Sequence, residues 1–376
     1  MLLLNSCKKT KHMNDKKLKL SAIAEVGLSE NNNQFNGLNN LIFLEAAGSA
    51  LALNNFGVVA GYAEVATRWK DGTLTCLRNL GGSHGRAMAI NNAGDVAGYA
   101  QLHGNMASHA TVWREDSSID LGTLGGNFSA ALAINDIGQV AGYAYLPGDA
   151  VNHATVWDGT RTIDLGTLGG SYSYATGINN SGLVTGVAYT PGDQASHATM
   201  WNGNEAIDLG TLGGNASQAL AINDYGQIAG VSHLANDAQH ATLWHKTGAI
   251  DLGALSGNFS TALAINNANQ IVGYSTTAAG ASRATLWLTG KLIDLNTLMS
   301  PQDINAGWVL QKATGINDNG QIVGTARNTK SGRREAFLLS ANIAPESAGL
   351  SRLLSGIARL YFIPRRLKSV NTDRDS

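Results

Sequence analysis

The stretch SAALAINDIGQVAGYAYLPGDAVNHATVWDGTRTIDLGTLGG, residues 129–170, decides the fold. Ser129 to Asn135 alternates around Leu132 and Ile134, and Asn-Asp-Ile-Gly (135–138) is a turn. Gln139 to Ala144 reads as a second strand, and a variable loop follows. His153 to Trp157 is a third strand, Asp158-Gly159 a turn, and Thr162 to Gly166 a fourth strand. Strands of about five residues with turn signals every 8–12 residues point to an all-β fold.

The same order recurs along the chain. Ile-Asn is found with its Ile at Ile90, Ile134, Ile178, Ile222, Ile265 and Ile316, with Leu53 as a degenerate first copy. Ala-Thr-x-Trp ends at Trp69, Trp113, Trp157, Trp201, Trp244 and Trp287, and Phe337 takes that place in the last copy. Asp-Leu-Gly starts at Asp120, Asp164, Asp208 and Asp251, and decays to Asp294-Leu-Asn. The spacing is 43 or 44 residues through the middle of the chain. Four strands in such a period is the repeat of a propeller blade. Helical repeats would need a 3.6-residue periodicity, which these segments lack. The expected fold is therefore all-β, a seven-bladed β-propeller of four-stranded repeats of about 43–44 residues. A six-bladed ring would follow if the first copy did not form.

Local chemistry agrees. The fourth turn residue is Gly57, Gly94, Gly138, Gly182, Gly226 and Gly320, as a left-handed backbone requires, and Asn269 is the one replacement. The Ala-rich first strand suits the crowded axis. The last copy stops after its third strand, Ala336 to Leu339, while a strand-like segment, Leu41 to Glu45, stands alone upstream of the first copy. That segment is expected to supply the missing fourth strand and close the ring. The organisation expected is a basic N-terminal segment (1–37), the propeller (38–341) and a basic tail with a short amphipathic helix (342–376).

The motifs DLGTLGG, AINDxGQVAG and HATVW resemble the HAF family of probable extracellular repeats. The closing copy, residues 294–339, resembles that family's last unit with its longer insertion. Here His-Ala-Thr replaces the His-Ala-Phe that names the family. The resemblance implies bacterial origin, export and a propeller-like fold. It carries no established activity and no catalytic residues.

Composition bounds the function. The 376 residues hold 26 basic and 27 acidic side chains, so a nucleic-acid partner, which needs a basic excess, is not expected. The balance is uneven: residues 20–345 hold 14 basic and 23 acidic side chains, and the two ends hold 12 basic and 4 acidic. Membrane contact is expected only through those tails. Met-Leu-Leu-Leu-Asn-Ser-Cys at the start resembles the end of a lipoprotein signal, with Cys7 as the lipid-carrying residue. Its apolar run is short and no basic residue precedes it, so it is either the remnant of a longer signal or a chance likeness. The expected location is extracellular or the cell surface. Two cysteines, Cys7 and Cys76, do not make a disulfide framework.

The repeat positions are expected to be structural. His109, His153, His197 and His240 share one place, taken by Arg283 and Glu335 in later copies. Equivalent places on neighbouring blades lie too far apart for Zn²⁺, whose nitrogen ligands sit at about 2.0–2.1 Å. Each His should instead bond polar groups of its own blade, the Ser or Gly-Gly of the adjacent turn. The six repeat Trp should fill the layer between blades, and the repeat Asp should accept turn or backbone hydrogen bonds. The Asn-Asp-x-Gly turns lack the alternating acidic ligands of a calcium loop. Pro-Gly-Asp at 147–149 and 191–193 reads as a plain loop turn. No cofactor or metal is expected.

Departures from the repeat are where chemistry could lie: His84, Arg86, His103, His233, His245, Arg283, Trp308 and Lys312. None forms a recognisable catalytic motif. The reading is a non-catalytic binding or structural scaffold, expected to be a monomer. Its ligand, a glycan or a protein, should meet the face formed by the loops between strands two and three and the Leu-Gly-Gly turns. The alternative is an extracellular polysaccharide hydrolase or lyase with a site on one face of the ring.

Overall fold

A computed structural model describes residues 40–44, 48–63, 65–71, 73–245 and 248–340. The expected signal remnant with Cys7 and the C-terminal amphipathic helix lie outside these residues. The strands form seven antiparallel four-stranded units, so the degenerate first copy does form a blade. Blade three follows the quoted stretch, with strands at Ser129–Ile134, Val140–Tyr145, Asn152–Asp158 and Arg161–Asp164, paired in that order. Residues Gly57, Gly94, Gly138, Gly182, Gly226, Asn269 and Gly320 all have positive φ. Cys76, on the outer strand of blade one, does not carry a free thiol.

The last blade is completed by the first described strand. Trp308–Ile316, Gln321–Asn328 and Arg334–Ser340 pair in order, and Asn40–Leu44 adds outside them, from Asn40 opposite Ser340 to Leu44 opposite Ala336. Phe43 on that strand stacks on Trp308, ring centres 4.2 Å apart, so the one Trp outside the repeat serves ring closure. Before Trp308 lies a short helix, Pro301–Ala306, capped by the Ser300 hydroxyl and ended by Gly307 at φ 93°.

The core is a set of seams between blades. Trp157 packs among Ala97, Ala110 and Val112 of blade two, and Trp201 among Ala141, Ala154 and Val156 of blade three. Trp113, Trp244 and Trp287 repeat this on blades one, four and five, and Phe337 on blade six. Trp69 closes the circle against Val323 and Ala336 of blade seven. In Ala-Thr-x-Trp, the Ala is thus the small residue that admits the indole of the next blade. The Thr is buried, and in every copy of the motif but the first its hydroxyl donates to the carbonyl two residues back, as Thr155 does to His153 at 2.9 Å.

Seams also carry polar clamps. Ser129, first on its inner strand, accepts from the Ala110 amide of blade two at 2.8 Å and donates to the Gly122 carbonyl at 2.6 Å. Ser173, Ser217 and Ser260 make the same pair of bonds. A buried hydroxyl with both its donor and acceptor used fixes the spacing of two blades.

Candidate functional site

Inner strands run from the Leu-Gly-Gly turns to the Asn turns, so the axis has two chemically different ends. At the turn end, the Asn closing each inner strand caps its own turn: the Asn135 side-chain oxygen accepts from the Gln139 amide at 2.8 Å. Its side-chain nitrogen donates to the carbonyl of the equivalent Asn in the next blade. These bonds run from Asn54 through Asn91, Asn135, Asn179, Asn223, Asn266 and Asn317 back to Asn54, all at 2.9–3.2 Å.

The next residue in each copy builds a second ring, in which each backbone amide donates to the following blade's side chain. Around it Asp136, Asn180, Asp224, Asn267 and Asp318 alternate acid and amide. Asn180 lies 3.3 Å from Asp136 and 3.2 Å from Asp224 through its amide nitrogen, and Asn267 likewise bridges Asp224 and Asp318. These rings line a cavity of about 180 Å³. Its polar atoms are largely engaged with one another, and the amides separate the carboxylates. Among the described residues no group of three potential metal ligands occurs. This end can lock the ring; it offers few free groups to a ligand. Both rings escaped the reading of the sequence, although the Ile-Asn-(Asn/Asp) repeat carried the signal.

The repeat His and Asp positions meet each other, on the outer half of each blade. His109 bonds Asp120 at 2.8 Å, His153 bonds Asp164 at 2.9 Å, His197 bonds Asp208 at 2.7 Å and His240 bonds Asp251 at 2.9 Å. The expected partner, Ser or Gly-Gly, is corrected: that Ser is taken by the clamp between blades. Where Arg283 replaces His, it pairs with Asp294 at 3.7 Å, and Glu335 in the last copy pairs with Arg333. The Asp also accepts from the amide two residues on, as Asp164 does from Gly166 at 2.8 Å, which is the expected turn bond. All six repeat Trp are buried in the seams, where the indole nitrogen of Trp113 donates to the Arg78 carbonyl.

The loop end differs. The variable loops and the Leu-Gly-Gly turns share this face. Asp149 accepts from the Asn127 amide at 2.6 Å, Asp193 from Ser171 at 2.7 Å, and Asn105 holds the same place against Ser83 at 2.8 Å. Pro-Gly-Asp is therefore more than a plain turn, because its Asp ties the loop to the Gly-Gly turn. A Cβ on Gly126 would come within 2.5 Å of the Asp149 carboxylate, which is why glycine stands there.

Inside this rim, strand two of several blades carries a half-exposed Tyr opposite the inner-strand residue that stands four before the repeat Ile or Leu. Tyr62, Tyr143 and Tyr274 each meet the inner strand of the following blade, and the residue met changes around the ring. The Arg86 guanidinium lies 4.4 Å from the Tyr62 ring centre, and the Lys312 ammonium 4.6 Å from that of Tyr274. Tyr143 meets Tyr174 edge-on at 5.1 Å. Tyr145 contacts Phe128 and Tyr143, so a run of four rings joins blades three and four, and Tyr172 contacts Tyr189 as a second aromatic pair on blade four. Beside it is a cavity of about 260 Å³ lined by Leu132, Tyr174, Thr176, Val187, Tyr189, Ser196 and Gln218. Burial first, then Tyr145, Tyr174 and Tyr99, pushes the Tyr143 hydroxyl upward in pKa. The Tyr174 hydroxyl rises for the same first reason, against a lowering hydrogen bond from Asn152.

Of the departures from the repeat, Arg86 and Lys312 come to this mouth. His84 bonds Ser83 and Gln101, and His233 bonds Gln239, both on the periphery of the same face. His103 packs beside Gly81 there, while His245 ends a third strand at the opposite face. The departures do not converge on one point. The tyrosines were missed because Val-Ala-Gly-Tyr reads as an ordinary strand.

Residues 214–360 match the sequence profile of a family described as Protein of unknown function (DUF3466). Among solved structures, the crystal structure of TolB from Acinetobacter baumannii is similar, with a TM-score of 0.43 and 12% identity. That match covers 66% of this chain and 64% of the other, so the chain spans under two thirds of that protein's length. No curated protein matches the sequence.

Proposed function

We propose that the protein is an exported, non-catalytic recognition propeller of the HAF type, a monomer that takes a glycan or protein ligand at the loop end of its axis. One observation carries this reading: half-exposed aromatic rings and two cations gather at that end, whereas the polar groups of the other end bond one another. A rigid ring that presents variable loops beside an open, chemically varied mouth has the geometry of recognition. Blade-to-blade repetition supplies the scaffold, and the residues that break it supply the specificity. Any membrane contact is assigned to the basic tails.

Glycan-array binding by the wild type, together with a hydrolase and lyase screen on the same glycans, tests the proposal. Binding without turnover that is lost in Tyr143→Ala and kept in Asp136→Asn supports it. Turnover would replace it with the polysaccharide-degrading enzyme. Binding lost in Asp136→Asn and kept in Tyr143→Ala would move the site to the turn end.

A further inference from the structure

The chemistry of the loop mouth narrows the ligand, on the premise that this mouth is the binding site. We propose that it holds an acidic sugar chain, with uronate carboxylates on Arg86 and Lys312 and sugar faces on the tyrosines. The propeller is acidic, with 14 basic and 23 acidic side chains over residues 20–345. Against that ground, the seven inner-strand residues that stand four before the repeat Ile or Leu include two charges, and both are positive. Arg86 and Lys312 are exposed, and among the described residues neither has an ion-pair partner. Each is held over a tyrosine ring instead, a contact that fixes a cation without neutralising it. A guanidinium so placed presents a planar fork that matches a carboxylate, and the ammonium adds a second point charge two blades away.

The neighbouring surface suits a sugar. The aromatic arc through Tyr143 and Tyr174 offers ring faces and hydroxyls together, the amphipathic combination that contacts both C–H faces and hydroxyl groups. The adjoining cavity mixes Tyr174 and Tyr189 with the hydroxyls of Thr176 and Ser196 and the amide of Gln218. At about 260 Å³ it lies just under the usual ~300–1,000 Å³ of a ligand pocket, so it takes the end of a chain. A peptide would need a succession of side-chain pockets along its path. One cavity of mixed polar and apolar lining beside a run of rings fits sugar units better.

Titration calorimetry on the full chain tests this with four probes: an oligouronate, the same oligosaccharide with its carboxylates reduced to alcohols, a sulfated oligosaccharide and an oligoglutamate. The oligouronate is expected to bind, and the reduced form at least about tenfold more weakly, as loss of charge-assisted hydrogen bonds implies. Arg86→Gln and Lys312→Gln should each weaken binding by about tenfold at unchanged melting temperature, and added salt should weaken the wild type. Equal binding of the reduced oligosaccharide, or no effect of either substitution, overturns the acidic-sugar assignment. Tighter binding of oligoglutamate would reassign the mouth to acidic peptides, and tighter binding of the sulfated sugar would replace uronate by sulfate. A neutral sugar lost in Tyr143→Ala would leave the mouth as the site and remove only the charge claim. A sugar bound equally by Tyr143→Ala and the wild type would remove the premise itself.

Discussion

The side-chain amide of Asn317 donates to the backbone carbonyl of Asn54 at 2.9 Å, joining residues 263 positions apart. It is the seventh bond of a ring that every other blade makes with its neighbour, and it ties the last copy to the first. Asn317 is buried, and its oxygen also accepts from Gln321 at 2.9 Å. Asn317→Ala therefore strands buried backbone groups in two blades and should cost about 1–3 kcal/mol, read from urea unfolding. Asn135→Ala, at an ordinary junction, should cost a similar amount. A negligible loss at Asn317 alone would show that the junction of the two ends is held by other contacts.

Closure depends equally on the first described strand. Phe43 is partly buried and stacks on Trp308, so Phe43→Ala should cost about 2–3 kcal/mol, below the ~3–5 of a fully buried Phe. Deleting residues 40–44 exposes the edge of Arg334–Ser340 and should lower the melting temperature far more. Calorimetry on both variants checks the order.

The indole rings separate volume from hydrogen bonding. Trp157→Ala should destabilise by about 3–5 kcal/mol in guanidinium unfolding. Trp113→Phe also removes the bond to the Arg78 carbonyl and should cost about 1 kcal/mol more than Trp157→Phe. The last blade already carries Phe337 at this place, fully buried, so a phenyl ring can fill such a seam.

Ser129→Ala removes one acceptor and one donor from a seam, leaving the Ala110 amide and the Gly122 carbonyl without it. A loss of about 1–3 kcal/mol is expected in thermal or chemical unfolding. Ser129→Cys, which keeps the size but not the strong hydroxyl bonds, should fall close to Ala. If Cys instead matched the wild type, the clamp would be a matter of packing.

Repetition made the fold legible. A copy that recurs seven times must bury the same faces seven times, so the blade strands, the turn glycines and the orphan strand near Leu41 could all be read directly. The partner of His153 could also have been found. His and Asp stand 11 residues apart in four copies, and the pair survives as Arg283 and Asp294. That constancy is the register of two antiparallel strands, but the serine beside each turn drew attention away from it. Asn54 and Asn91 were harder to join, because each blade gives a single side-chain bond to a backbone atom in the next copy. The recurring Ile-Asn marks the position, but nothing within one repeat names its partner in the next. The loop mouth was hidden for the opposite reason. Tyr62 and Arg86 belong to different copies, and only the ring geometry turns two unremarkable strand positions into a stacked pair.

The most direct test of the recognition site is a crystal structure of the protein with the tightest-binding glycan from the array. Density for a sugar over Tyr143 and Tyr174, within hydrogen-bond reach of Arg86 or Lys312, is the predicted result. A sugar seated in the Asn–Asp rings beside Asp136 and Asp224, with the loop mouth empty, would contradict the account.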